Sequence, residues 1–156
     1  MKARPGRSGL AAPGVLRTAR VGVKLSPMAC DFKMHPGLET VVDRVVHAPQ
    51  LDAPPDRPHA FVYFLTIRND SGEPVTICGR KWVVTDRDGH TLVVEGDGVV
   101  GRKPRIEPGE SFSYNSCHVI GSDSTACGSF FGVLDDGTRI RVPIPEFALA
   151  VPRDPE

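Results

Sequence analysis

Residues 61–68 read FVYFLTIR. Phe61, Tyr63, Leu65 and Ile67 fall on one side of an extended chain, and Val62, Phe64, Thr66 and Arg68 on the other. Alternation of this kind, in aromatic and β-branched residues, specifies a strand. The second side is half apolar too, so the strand belongs in the middle of a sheet. Asn69-Asp70-Ser71-Gly72 ends it with turn chemistry.

The pattern recurs in both directions. Val75–Thr85 follows the turn, with Gly79 marking a bend or bulge. Trp82 and Val84 share a face there, and Lys81 points the other way, into solvent. Asp86-Arg87-Asp88-Gly89 is a hairpin turn into Thr91–Glu95. Ser111–Asn115 alternates with Phe112 and Tyr114 inward. Phe130–Leu134 and Arg139–Val142 flank Asp135-Asp136-Gly137, a second hairpin, with Ile140 and Val142 inward. Pro143 and Pro145 confine residues 144–151 to an edge or an extended crossing. Upstream, LETVVDRVVH (38–47) fits a helix face through Val41-Val42 and Val45-Val46, but its valines and its β neighbourhood favour a strand. Pro49, Pro54, Pro55 and Pro58 make residues 48–58 a loop. Strands and turns at this spacing imply an all-β chain, a sandwich of two antiparallel sheets closed over one core.

A chain of 156 residues holds one such domain and a tail. Lys2, Arg4, Arg7, Arg17, Arg20 and Lys24 lie in residues 1–27 without a single acid. That segment reads as a flexible basic tail, and residues 28–156 as the domain. Because the whole chain is formally neutral, the domain itself is mildly acidic, which disfavours binding to a phosphate backbone. No stretch approaches the roughly 18 apolar residues of a membrane helix. Cys30, Cys78, Cys117 and Cys127 show no CxxC pair, and the five histidines are scattered. The spacing therefore offers no zinc site. Reduced cysteines in a cytoplasmic protein are the expectation.

Candidate chemistry is sparse. Gly96-Asp97-Gly98-Val99-Val100-Gly101 matches GxGxxG, but Pro104 and Pro108 follow where a dinucleotide site needs a helix. A weaker reading survives: a glycine-rich anion nest at Gly96, Gly98 and Gly101, with Arg102, Lys103 and Arg105 beside it. Against this stands the plain use of glycine for positive φ and tight packing. No GxSxG elbow is present. Cys117 and His118 are adjacent, so a strand sends them to opposite faces. Asp86/Asp88 and Asp135/Asp136 occupy turns that favour Asp for backbone reasons. No catalytic residue, metal ligand or cofactor is assigned, and the chain is expected not to be an enzyme.

GRKWVVTDRDG (79–89), VEGDGVVGRKPRIEPGESFSY (94–114) and VPIPEFALAVP (142–152) are similar to stretches of the ApaG family. The likeness runs from about Met28 to Pro152. It implies an immunoglobulin-like or fibronectin-type III-like sandwich in a cytosolic bacterial protein. Family associations with cobalt tolerance, magnesium efflux and protein-binding eukaryotic relatives come with it. The leading expectation is a non-enzymatic module that binds a protein partner through exposed sheet edges. The alternative is a sensor holding pyrophosphate or a diadenosine polyphosphate weakly at the Gly96–Gly101 loop. A homodimer stays open.

Overall fold

The structure, a computed structural model, describes residues 19–21 and 32–153. The described residues contain no helix, and hence none long and apolar enough to cross a membrane. Their strands, in chain order, are β1 (Ala19–Val21), β2 (Lys33–Met34), β3 (Leu38–His47), β4 (His59–Asn69), β5 (Val75–Asp86), β6 (Thr91–Asp97), β7 (Arg105–Ile106), β8 (Ser111–Ile120), β9 (Ser124–Leu134) and β10 (Arg139–Leu149). The larger sheet runs β1-β6-β5-β9-β10-β2, with β7 alongside the start of β5, and the smaller runs β3-β4-β8.

The expected two-layer sandwich is present. Phe61, Tyr63, Leu65 and Ile67 are all buried on the inner side of β4. They meet Trp82, Val84, Phe130, Ile140 and Val142 of the larger sheet in one core. Each large side chain fully buried there contributes about 1.5–3 kcal/mol. β4 is central in its sheet, as its half-apolar second face required.

Two bulges shape the layers. Val42 opposes Leu65 while Arg44 opposes Phe64, leaving Asp43 as the extra residue of β3. Ile77 opposes Gly132 while Gly79 opposes Phe131, leaving Cys78 as the extra residue of β5. The second bulge sits beside the position that Gly79 marked. Leu38–His47 is a strand throughout.

Three expectations need adjustment. One pairing is parallel, β10 with β2 at Ile140–Lys33 and Arg141–Met34, so the larger sheet is not antiparallel throughout. Within the expected tail, Ala19–Val21 pairs with β6; residues 1–18 and 22–27 of that tail, and Cys30, lie outside the described residues. Lys81 is not solvated: its side chain is 13% exposed and its Nζ lies 3.9 Å from Glu95 on the neighbouring strand.

Asn69 ties the end of β4 to the turn that follows. Its Nδ2 donates to the carbonyls of Glu73 (2.7 Å) and Ile106 (2.9 Å). Its Oδ1 accepts from the Ser71 N–H (2.9 Å) and hydroxyl (2.6 Å). Asn69 is fully buried, so truncation strands polar groups away from water. Asn69→Ala should lose about 2–4 kcal/mol of stability in denaturant unfolding. A loss below about 1 kcal/mol would show that water replaces those bonds.

Candidate functional site

β6 ends at Asp97, and the glycine-rich segment follows directly. Arg80 controls its conformation from inside the sandwich. Counting along β5, Arg80 shares the inner face with Trp82 and stands opposite Gly96 on β6 and Phe130 on β9. Its Nη1 donates to the carbonyls of Asp97 (3.0 Å) and Gly98 (3.1 Å). A Cβ on Gly96 would come within 2.8 Å of that Nη1, so the missing side chain is the seat of the guanidinium.

The segment then folds back on itself. Gly98 donates its N–H to the Cys78 carbonyl (2.6 Å). Val99 and Arg102 exchange backbone hydrogen bonds of 2.7 and 3.0 Å. The two residues between them, Val100 and Gly101, have φ of +44° and +81°. Positive φ at both central positions is what a type I′ turn needs. Glycine adopts it without strain, whereas a β-branched valine does not. Gly98 also has positive φ, and a Cβ there would lie 2.5 Å from the Arg102 carbonyl oxygen.

The six candidate ligand residues are thus placed as follows. Gly96 seats Arg80, and Gly98 and Gly101 shape the turn. The N–H groups of Gly98, Val99 and Arg102 already donate to carbonyls. Arg105 lies outside the turn and makes a bidentate pair with Asp135 (2.6 and 2.9 Å) and a third bond to Glu107 (2.7 Å). That pair holds the Asp135 carboxyl below its ordinary range. Arg102 swings across to the smaller sheet, its guanidinium carbon 5.3 Å from the centre of the Phe112 ring on β8. Lys103 is exposed. Neither Arg102 nor Lys103 has a carboxylate partner among the described residues.

The remaining constellations resolve simply. Cys117 lies on the outer face of β8, and burial pushes its thiol up. His118 faces inward, its ring 4.6 Å from Trp82 and 4.8 Å from Tyr63. Burial lowers its pKa to about 3. The two side chains form no thiol–imidazole couple. Asp86, Asp88 and His90 bring their ligand atoms within 4.8 Å of one another, a grouping the sequence spacing did not suggest. The Asp86 Oδ1 already accepts the N–H groups of Asp88 and His90 (both 2.9 Å), so the cluster is a turn built on Asp86. Asp136 similarly accepts the Thr138 N–H (2.9 Å).

One long strand edge stands open. β8 pairs with β4 in unbroken register from Ser111–Arg68 to Ile120–His59. On its other side no backbone bond is made among the described residues. It contains no Lys, Arg, Asp, Glu or Pro and no bulge. The other long edges are blunted. β3 carries Glu39, Arg44 and the Asp43 bulge, and β10 carries Pro143 and Pro145. Charges, bulges and prolines are the usual guards of an edge, and β8 has none. Along its first half, Ser111, Ser113 and Asn115 are exposed and Phe112 and Tyr114 half-buried. Phe112 and Tyr114 stack at 6.0 Å and 27°.

The family model for the ApaG domain matches residues 49–133. Protein ApaG of Ralstonia nicotianae is 44% identical over 115 residues, which span 73% of this chain and 93% of that protein. Protein ApaG of Stenotrophomonas maltophilia is 41% identical over 102 residues, spanning 65% and 80%. Among solved structures, the putative ApaA protein of Bordetella pertussis superposes with a TM-score of 0.67 at 32% identity, over 79% of this chain and 99% of that one.

The buried imidazole gives this interior a measurable pH signature. Unfolded, His118 takes a proton near pH 6.5; folded, it stays neutral until about pH 3. The unfolded state therefore binds more protons between those values, and stability falls as pH falls. His118 should contribute a slope of up to about 1.4 kcal/mol per pH unit below pH ~6. Denaturant unfolding of the wild type and His118→Phe across pH 4–7.5 should show that slope only in the wild type. Parallel profiles would mean the imidazole is hydrated in the fold.

Proposed function

The chain belongs to the ApaG domain family, and we propose that it is a non-enzymatic protein-binding module that takes an extended segment of its partner as a fourth strand on the β8 edge. The observation that carries this reading is the unguarded edge itself. Its backbone donors and acceptors, regularly spaced from Ser111 to Cys117, are a template for strand addition. Surfaces for alternate side chains come from the Phe112–Tyr114 rail on one face and the Ser111, Ser113 and Asn115 row on the other.

Chemistry points the same way. His118 is sealed in the core, Cys117 has a raised pKa, and carboxylates near the surface hold turns, as Asp86 and Asp136 do, or pair with basic residues, as Asp135 does with Arg105 and Glu95 with Lys81. Among the described residues a hydroxyl does meet a carboxylate, Thr66 donating to Asp43 at 2.6 Å, but no histidine bonds to either to complete a triad. Among the described residues Cys78, Cys117 and Cys127 are unpaired, which fits work in a reducing cytoplasm. A phosphate ligand at Gly96–Gly101 would have to rely mainly on Arg102 and Lys103, because the N–H groups of Gly98, Val99 and Arg102 donate to carbonyls and Arg105 is held by Asp135 and Glu107. Two exposed cations give weak binding.

Edge variants test the proposal. The full chain, immobilised as bait in a lysate of its source organism, should retain a stoichiometric partner. Asn115→Lys should reduce retention at least tenfold, whereas Glu39→Lys on the guarded β3 edge should leave it unchanged. Hydrogen exchange in the recovered complex should slow at amides 111–117. Equal retention by both variants, or protection confined to other strands, would overturn strand addition at β8.

A further inference from the structure

Resting on the docking edge proposed above, we infer that the segment it receives is acidic at the end that meets Arg102 and Lys103 and apolar where it crosses Phe112. The inference starts from an imbalance of charge. Arg105 lies three residues from Arg102 and is matched by two carboxylates, Asp135 and Glu107. Arg102 and Lys103 have none among the described residues. The surface thus neutralises one cation of the cluster and leaves two unmatched.

Position makes the imbalance informative. Arg102 belongs to the turn that leaves the larger sheet, yet its guanidinium lies over Phe112, the second residue of β8. The unmatched charge therefore sits at the start of the open edge. A strand added beside Ser111–Cys117 would bring its backbone past that guanidinium. Its alternate side chains would fall on the Phe112–Tyr114 side, and the intervening ones beside Ser113 and Asn115. A carboxylate at the Phe112 end would find Arg102 in reach of its side chain, with the charge of Lys103 next to it in the chain. Val100 adds an apolar contact at the same corner. It is one of only two large apolar side chains strongly exposed among the described residues, at 44%, and it is held there by the positive-φ turn.

Charge also separates the candidate occupants. Residues 1–18 of this chain contain Lys2, Arg4, Arg7 and Arg17 and no acid, so they repel Arg102 and Lys103. A second copy pairing through its own β8 would offer no carboxylate either, since Ser111–Ile120 contains none. A foreign acidic segment is the occupant that complements both the edge and its cations.

The experiment uses the full chain and fluorescein-labelled nine-residue peptides of alternating Val and Thr. Each bears two Glu, two Gln or two Lys, at either the N- or the C-terminal end. Anisotropy titrations should show the Glu peptide binding about three- to tenfold more tightly than the Gln peptide at low salt, with Lys weakest. The gap should shrink in ~0.5 M salt. Lys103→Gln should narrow it, and Arg102→Gln/Lys103→Gln should close it, with the Gln peptide still bound. Lys103→Gln keeps the test open should loss of Arg102 disturb Phe112. Equal affinity for Glu and Gln peptides at low salt would overturn the acidic preference while leaving the docking edge standing. Failure of every peptide to bind would overturn the edge and this inference together. Displacement of the Glu peptide by equimolar inorganic pyrophosphate would reassign the two cations to a phosphate ligand.

Discussion

Tyr63 against Trp82, ring centres 4.9 Å apart, is the contact on which the sandwich depends. It joins the central strand of the smaller sheet to β5 of the larger one. His118 and Phe147 close around the same pair at 4.6–6.0 Å. A three-stranded sheet standing alone would leave its apolar face wet, so β3, β4 and β8 exist as a layer only because this cluster covers them. The cluster is not wholly apolar. Trp82 Nε1, Tyr114 OH and His118 Nε2 are buried without a hydrogen-bond partner, and burial pushes the phenols of Tyr63 and Tyr114 up. An unpartnered buried polar group costs about 1–3 kcal/mol. Large aromatic area offsets that cost here.

Strand alternation carries most of the fold in the sequence, and the bulges mark where it stops doing so. In Leu38–His47 the inward positions are 38, 40 and 42, and then 45 and 47, because Asp43 is an extra residue. A three-residue step of this kind imitates a helix face, which is why the valine pairs read both ways. β5 repeats the step at Cys78, between Ile77 and Arg80. There the glycine gave the position away, since Gly79 next to a polar run signals a break in the ladder. Strand β1 was illegible for a different reason. Ala19-Arg20-Val21 is too short to show a period, and it lies in a run of Gly, Pro and Arg.

The candidate site was legible only in pieces. Counting back two from Trp82 places Arg80 inward, so its orientation could have been read. Its role could not, because the carbonyls of Asp97 and Gly98 reach it only through the register of β5 with β6. The GxGxxG spacing marks a loop whose glycines have structural uses that the spacing alone does not reveal. Two of its glycines serve a hairpin turn and the third leaves space for a guanidinium. Lys81 misled in the same way. Alternation correctly sends it outward from Trp82, but outward on a central strand means alongside Glu95 and neighbouring side chains, not into water. Openness of an edge is likewise a property of the assembled sheet. SFSYNSCHVI can be read as a strand without charges, but its place at the rim follows only from the pairing order.

These features meet in one short segment. Arg80 fixes Asp97 and Gly98 from the inside, the Val99–Arg102 bonds close the turn, and the turn delivers Arg102 to Phe112 on the opposite layer. The core and the open edge are therefore mechanically joined. Side chains larger than hydrogen at Gly96 would displace the Arg80 guanidinium, and the displacement would reach Arg102 through five residues of tightly bonded chain. The glycine-rich sequence belongs to the geometry that positions Arg102 beside β8. Its permissive backbone lets a sheet of one layer place charge at the rim of the other.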